Sequence, residues 1–176
     1  MPTSIKVALR AYRSDDFERL HAIDQACYEP DIAYSRSELR TYLGFLSSEC
    51  VVAEIEPSPG VPRREASTAN RGEQRIIGFC VSAHRGPEGY IITIDVMPEY
   101  RRLAIGSALL AEIEKRLASV GVRRVSLETA VDNQAGVAFW SSHGYRARGV
   151  KKGYYPHGRD AYSMSKTIAK AQAHLV

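Results

Sequence analysis

A short loop between an apolar strand and an amphipathic helix has the residue types of an anion-binding site. Two adjacent arginines, Arg101 and Arg102, follow a turn at Pro98 and supply full positive charges. Small residues stand at three later positions: Ala104, Gly106 and Ser107. The first N–H groups of a helix have no intrahelical acceptor, and the helix dipole adds positive charge there. The pattern predicts a phosphate-binding loop, although an ordinary turn with two solvated arginines has similar spacing.

One acidic residue interrupts a second apolar segment and could act as a base. Glu128 lies within the predicted strand 124–130. A protonated amine attacks a carbonyl carbon only after it loses a proton, and a carboxylate is a common acceptor for that proton. The alternation of a strand equally allows Glu128 to face solvent as a structural residue. From the residues alone, the solvent-facing interpretation is favoured over a catalytic role.

The loop resembles motif A of the GNAT superfamily of acetyltransferases, which is written Q/R-x-x-G-x-G/A. Here the motif reads Arg101-Arg102-Leu103-Ala104-Ile105-Gly106, with Ala104 in place of the first glycine. The resemblance implies that the loop holds the diphosphate of acetyl-coenzyme A, and that the preceding strand bonds its pantetheine arm. The implied cofactor-binding residues are Ile94, Asp95, Val96, Arg101, Arg102, Leu103, Ala104, Ile105, Gly106 and Ser107.

A second block, residues 126–145, resembles motif B of the same superfamily. The resemblance implies that Glu128 faces the cleft as the general base and that Asn133 contacts pantetheine while also capping a helix. Trp140 stands where relatives often carry a tyrosine that protonates the leaving thiolate. An indole N–H donates hydrogen bonds but is not a usable acid. We therefore expect either that the thiolate leaves without a protein acid or that Trp140 packs against pantetheine.

The C-terminal run 153–164 is similar to the ribosomal-protein-alanine N-acetyltransferase branch. It has a Tyr-Tyr pair followed by Asp-Ala-x-x-Met. The resemblance implies that the acceptor is a protein or peptide N-terminus, such as that of a ribosomal protein. The implied acceptor-binding residues are Pro30, Ile32, Tyr34, Tyr154 and Tyr155. The two adjacent tyrosines could equally be packing residues of a hairpin.

Two other functions remain open from the sequence. One is a GNAT enzyme that acetylates a small-molecule amine. The other is a protein that binds coenzyme A without turnover. Glu128 favours an enzyme, whereas Trp140 in place of a tyrosine favours the non-catalytic alternative.

Composition restricts the class of protein. A chain of 176 residues with 44% hydrophobic and 25% charged residues is typical of one globular domain. Its net charge of +4 suits an anionic cofactor but does not predict direct nucleic-acid binding. The three cysteines lack metal-ligand spacing and predict free thiols in a reducing, cytoplasmic setting, with no metal. No apolar run has the length of a membrane span.

The periodicity of apolar residues predicts an α/β protein. We expect the GNAT fold, with a mixed, mostly antiparallel sheet of about seven strands, helices on both faces, and strands four and five splayed apart. The domain is predicted over 1–168, with a mobile hairpin insertion at 56–74 and a tail at 169–176. The predicted strands are 5–11, 50–55, 75–84, 90–97, 124–130, 145–152 and 161–168; the predicted helices are 14–28, 35–46, 103–120 and 133–143.

Overall fold

A seven-stranded sheet forms the centre of the computed structural model, which describes residues 5–55 and 75–168. The strands are β1 (Val7–Ala11), β2 (Glu49–Ile55), β3 (Ile76–Arg85), β4 (Glu88–Val96), β5 (Arg124–Ala130), β6 (Arg146–Tyr155) and β7 (Arg159–Thr167). Their order is β1-β2-β3-β4-β5-β7-β6. All neighbouring strands are antiparallel except β4 and β5, which are parallel.

Helices cover both faces of the sheet, so there are two apolar cores. The helices are α1 (Phe17–Cys27), α2 (Arg36–Leu43), α3 (Ile105–Ser119) and α4 (Gln134–Ser142). One core joins α1 and α2 to β2 and β3, and it includes Leu20, Leu39 and Phe79. The other core joins α3 and Trp140 of α4 to the opposite face. The predicted fold class is confirmed.

Strands β4 and β5 pair over only three residues and then part. Their last paired residues are Tyr90 and Ser126. A bulge lies just beyond this point, because Ser82 of β3 faces Ile91 and Val81 faces Thr93, which leaves Ile92 as an extra residue. A bulge bends its strand and increases the local twist. Strand β5 meanwhile continues along β7 to Ala130, so a cleft opens between β4 and β5.

Three helix boundaries differ from the sequence prediction. Helix α2 begins at the predicted capping box of Ser35 but ends at Gly44 rather than near 46. The first predicted helix starts as a 3₁₀ turn, Ser14–Asp16, before α1. Leu103, the first residue of the predicted helix 103–120, is exposed and precedes α3.

Two predicted segments, 56–74 and 169–176, lie outside the described residues. Within the described part of the chain, no helix combines the length and the apolar character needed to cross a membrane.

Candidate active site

The loop before α3 is shaped by two residues in the left-handed backbone region. Arg102 has φ of 63° and Ala104 has φ of 59°. The helical ladder starts where the Ala108 N–H donates to Ala104 O at 3.0 Å. The N–H groups of residues 105–107 therefore open the helix without intrahelical acceptors, as an anion site requires. The Arg101 side chain turns back and donates from Nε to Val96 O at 3.0 Å, so Arg102 is the freer cation of the pair.

The start of α3 is packed tightly against α4. A Cβ on Gly106 would lie 3.3 Å from the Phe139 ring, so the glycine permits a close approach. His143 joins the two helices because its Nε2 lies 2.9 Å from Ser107 Oγ and its Nδ1 lies 2.8 Å from Phe139 O. A carbonyl only accepts, so Nδ1 carries the proton, and in neutral histidine Nε2 accepts from the serine. The sequence analysis missed this contact, since no local signal pairs two residues 36 positions apart.

Helix α4 carries the other two predicted cofactor residues. Asn133 caps it, and its Oδ1 accepts the Gly136 N–H at 3.0 Å. The Trp140 side chain is 7% exposed and packs edge-on against the rings of Phe139 and Tyr145. The indole is thus part of the core beneath the loop, and its contact with a cofactor stays a prediction.

The cleft edge of β4 offers backbone groups rather than side chains. The carbonyl of Val96 meets Arg101, and the carbonyl of Ile94 lies 3.5 Å from the Tyr28 hydroxyl. Asp95 differs from both, because its carbonyl lies towards β3, where a Cβ on Gly78 would be 2.6 Å away. Its carboxyl group is buried and accepts from the Thr93 hydroxyl at 2.7 Å. The structure thus brings Ile94 and Val96 to the opening and turns Asp95 away from it.

Glu128 lies where β4 and β5 begin to part. Its side chain is 5% exposed. The Tyr90 hydroxyl donates to Oε2 and the Lys151 ammonium donates to Oε1. The two donors hold the carboxylate in one orientation. Burial and the bond to Glu128 in turn raise the pKa of Tyr90. The predicted base is therefore a shielded carboxylate with both oxygens held.

Tyrosines line the open side of this carboxylate. The Tyr34 hydroxyl donates to Ile92 O at 3.2 Å, at the bulge of β4. The Tyr155 hydroxyl donates to the backbone oxygen of Glu128 at 3.4 Å. The rings of Tyr154 and Tyr155 are perpendicular with centroids 5.0 Å apart. Three of the predicted acceptor-binding residues are thus brought to the rim; Pro30 and Ile32 lie in the connection that leads to Tyr34.

Ion pairs tie together three connections around the cleft. Arg159, at the start of β7, contacts Glu29 at 3.1 Å and Asp132 at 3.1 Å. His157 lies 3.3 Å from Asp31. These pairs link the α1–α2, β5–α4 and β6–β7 connections, and the sequence analysis did not predict them. Among the described residues, no group of three or more His, Cys, Asp or Glu side chains could hold a metal ion.

The comparison with known families agrees with this geometry. Residues 17–145 match the model of the Acetyltransferase (GNAT) family. The chain belongs to the GNAT family. The matched GNAT residues include the loop before α3, Glu128 and all of α4.

Named relatives of this GNAT chain are N-acetyltransferases. It is 35% identical over 82 residues to an N-alpha-acetyltransferase of Sulfurisphaera tokodaii. The aligned segment covers 46% of this chain and 49% of that protein. It is 33% identical over 98 residues to the ribosomal protein bS18-alanine N-acetyltransferase of Escherichia coli K12, which covers 54% of this chain and 66% of that protein. The chain thus spans about half the length of the first of these relatives.

A solved structure shows the same fold over nearly the whole chain. The crystal structure of the ribosomal-protein-S18-alanine N-acetyltransferase from Escherichia coli superimposes with a TM-score of 0.76 at 20% identity. The superposition covers 97% of this chain and 99% of that one. At this identity the likeness concerns the fold.

Proposed function

We propose that this GNAT chain transfers the acetyl group of acetyl-coenzyme A to the N-terminal amino group of a protein, such as a ribosomal protein. The observation that carries the proposal is Glu128, a shielded carboxylate at the point where β4 and β5 part. A cleft between parted strands lets a cosubstrate and an acceptor meet from opposite faces of one sheet. The phosphate loop lies on the α3 side, and the tyrosine rim lies on the other.

The chain's own groups fit acetyl-coenzyme A. The N–H groups of 105–107 and the Arg102 guanidinium suit a diphosphate. The backbone of Ile94 and Val96, freed by the parting of the strands, suits the amides of pantetheine. The bound cosubstrate supplies a thioester, whose carbonyl carbon is the electrophile. The contacts of these residues with the cosubstrate are part of the proposal.

In the proposed reaction Glu128 takes the proton of the acceptor ammonium, directly or through a water molecule. The Tyr90 hydroxyl fixes the orientation of the carboxylate. Trp140 supplies no acidic proton, and a thiolate is a tolerable leaving group because thiols have a pKa near 8.5. The chemistry therefore depends on one side-chain base and on the positioning of two reactants.

The rim favours a peptide as the acceptor. Tyr34, Tyr154 and Tyr155 offer flat surfaces and hydroxyl groups on both sides of the position above Glu128. Such amphipathic rings bind an extended backbone with little loss of side-chain entropy. Two relatives, an N-alpha-acetyltransferase and a ribosomal protein bS18-alanine N-acetyltransferase, support the same acceptor class.

Replacement of Glu128 by glutamine tests the base. We expect Glu128→Gln to lower kcat towards an N-terminal peptide by about 10²–10⁴-fold, the usual range for loss of a general base. Binding of acetyl-coenzyme A, measured by calorimetry and by the shift in Tm, should persist because the loop is untouched. The measurement is acetyl-coenzyme A turnover with a panel of N-terminal peptides and small free amines.

A matched control exists on α3 itself. Glu114 also accepts from a tyrosine hydroxyl (Tyr145) and a lysine ammonium (Lys166), but away from the cleft. Glu114→Gln should therefore leave kcat near that of the original chain. Full activity in Glu128→Gln would place the base elsewhere. A preference for free amines over every peptide would overturn the proposed acceptor.

A further inference from the structure

A primary ammonium of the chain itself already occupies the position above the proposed base. The Lys151 Nζ donates to Glu128 Oε1 and lies 5.3 Å from the centre of the Tyr154 ring. The other carboxylate oxygen is bonded to the Tyr90 hydroxyl. A carboxylate together with an aromatic face is an arrangement that recognises an amine. Lys151 therefore makes the contacts that an acceptor ammonium would make.

The Lys151 side chain is exposed enough to move away from Glu128. The Lys151 side chain is 50% exposed, and it reaches the carboxylate from β6, the edge strand of the sheet. The corresponding pair beside α3, Lys166 with Glu114, is largely covered at both ends. An exposed lysine on a flexible stem exchanges readily with solvent and with a competing amine.

We propose that Lys151 is an acetylation site of this protein and that the protein's own active site modifies it when no acceptor is bound. The inference rests on the proposed function. Glu128 first takes one proton from the Nζ ammonium, which frees the lone pair on nitrogen. Nζ then forms a bond to the acetyl carbonyl carbon, and the carbon–sulfur bond of the thioester breaks. The second proton that the nitrogen loses passes to the departing thiolate, which becomes coenzyme A thiol, and Glu128 releases the first proton to solvent. The products are an amide on Lys151 and one coenzyme A.

The local charges make this reaction slower than turnover of a free acceptor. The hydrogen bond to Glu128 raises the pKa of Lys151, so the ammonium form dominates near neutral pH. Tyr90, Tyr154 and Tyr155 are the other titratable groups at this position. We expect one slow acetylation per chain rather than multiple turnovers.

The neighbouring lysine provides an internal control. Lys152 is the next residue, its side chain is 83% exposed, and its ammonium pairs with Asp160 instead. Spontaneous acetylation by a thioester follows exposure and would modify Lys152 first. Acetylation by the active site would modify Lys151 first, because Lys151 reaches Glu128 and Lys152 does not.

The experiment incubates the full chain with acetyl-coenzyme A and no acceptor, followed by peptide mapping with mass spectrometry. The expected result is one acetyl group on Lys151, formed at a rate that does not depend on protein concentration. An acceptor peptide should suppress it, because both amines need the same carboxylate. Glu128→Gln should lower the rate at Lys151 by about 10²-fold or more without changing Lys152. Lys151→Arg should abolish the modification, and Glu114→Gln should not.

The outcomes separate this inference from the proposed function. A chain that acetylates peptides while Lys151 stays unmodified overturns the inference and leaves the function standing. Equal labelling of Lys151 and Lys152, or labelling unchanged in Glu128→Gln, shows spontaneous chemistry and also overturns it. A chain that modifies neither peptides nor Lys151, while its Tm responds to acetyl-coenzyme A, contradicts the proposed function itself.

Discussion

A single methyl group in the phosphate loop opposes the backbone conformation that the loop needs. Ala104 has φ of 59°, a left-handed conformation that costs an alanine roughly 1–2 kcal/mol and a glycine almost nothing. The motif that this loop resembles has glycine at the same position. We infer that the chain tolerates this strain in order to aim the N–H groups of 105–107 at one point.

Glycine at this position should stabilise the protein. We expect Ala104→Gly to raise the free energy of unfolding by about 1 kcal/mol, measured by urea denaturation, because relief of the strain outweighs the entropy of the unfolded glycine. Ala108 is a matched control, since it is exposed and helical within α3. Ala108→Gly should lower the free energy of unfolding by about 1 kcal/mol. If both variants changed the free energy of unfolding in the same direction, the backbone at Ala104 would not be strained.

At the scale of elements, the rim of the cleft depends on connections that are joined by ion pairs. Arg159 holds two of them to the start of β7 through Glu29 and Asp132. Partly exposed ion pairs contribute little to global stability, about 1 kcal/mol or less. Their effect is to restrict the positions of the connections before an acceptor binds, which lowers the entropic cost of binding.

Loss of the Arg159 ion pairs should weaken binding of the acceptor more than binding of the cosubstrate. We expect Arg159→Gln to raise the KM for an N-terminal peptide by about 2–10-fold, since ordering costs about 0.5–1.5 kcal/mol per immobilised side chain. The KM for acetyl-coenzyme A should rise less, because the loop 101–107 does not contact Arg159, although Asp132 adjoins the predicted pantetheine contact Asn133. Arg116→Gln is the control, because Arg116 likewise pairs with two carboxylates, Glu112 and Glu49, and none of these residues belongs to the connections around the cleft. An equal rise in both KM values would show a general loosening of the fold instead.

At the scale of the whole molecule, two carboxyl groups are buried between α1 and the sheet. Asp24 and Asp95 each have one oxygen without a hydrogen-bond partner among the described residues. Burial raises the pKa of Asp24 to about 6 and, with the charge of Asp24 adding to it, the pKa of Asp95 to about 7. In the unfolded chain both groups titrate near 3.9. The folded state therefore binds more protons than the unfolded state between about pH 4 and pH 7.

The stability of the fold should consequently decrease as the pH rises through that window. The stability that the protonated Asp24 and Asp95 contribute is fully present below about pH 4 and is lost progressively up to about pH 7. Above about pH 7 their contribution to the free energy of unfolding changes no further. Asp95→Asn keeps the shape and removes one titration, so it should flatten the dependence of the unfolding free energy on pH. Denaturation in urea at several pH values measures this slope. Asp160→Asn is the control, since the pKa of Asp160 is lowered by Lys152 and its effect falls below the window. If the unfolding free energy of Asp95→Asn depended on pH as steeply as that of the original chain, Asp95 would not be the titrating group.

The sequence by itself determined the features that depend on neighbouring residues. Apolar periodicity gave the order of strands and helices, because burial of one face needs only a local repeat. The cap at Asn133 and the capping box at Ser35 were predictable, since a cap joins residues three positions apart. The apolar pattern of 124–130 also placed Glu128 on β5, and the loop before α3 was visible in the residues that resemble motif A.

Only the tertiary structure decided which groups meet in the cleft. Tyr90 and Lys151 reach Glu128 from 38 and 23 positions away, and His143 reaches Ser107 from 36. Such contacts depend on strand register, on the bulge at Ile92 and on the packing of α3 against α4. A one-residue change of register would turn each side chain to the opposite face, and no local pattern encodes that choice. The chemistry of the site therefore follows from the sheet as a whole, although each residue in it is visible in the sequence.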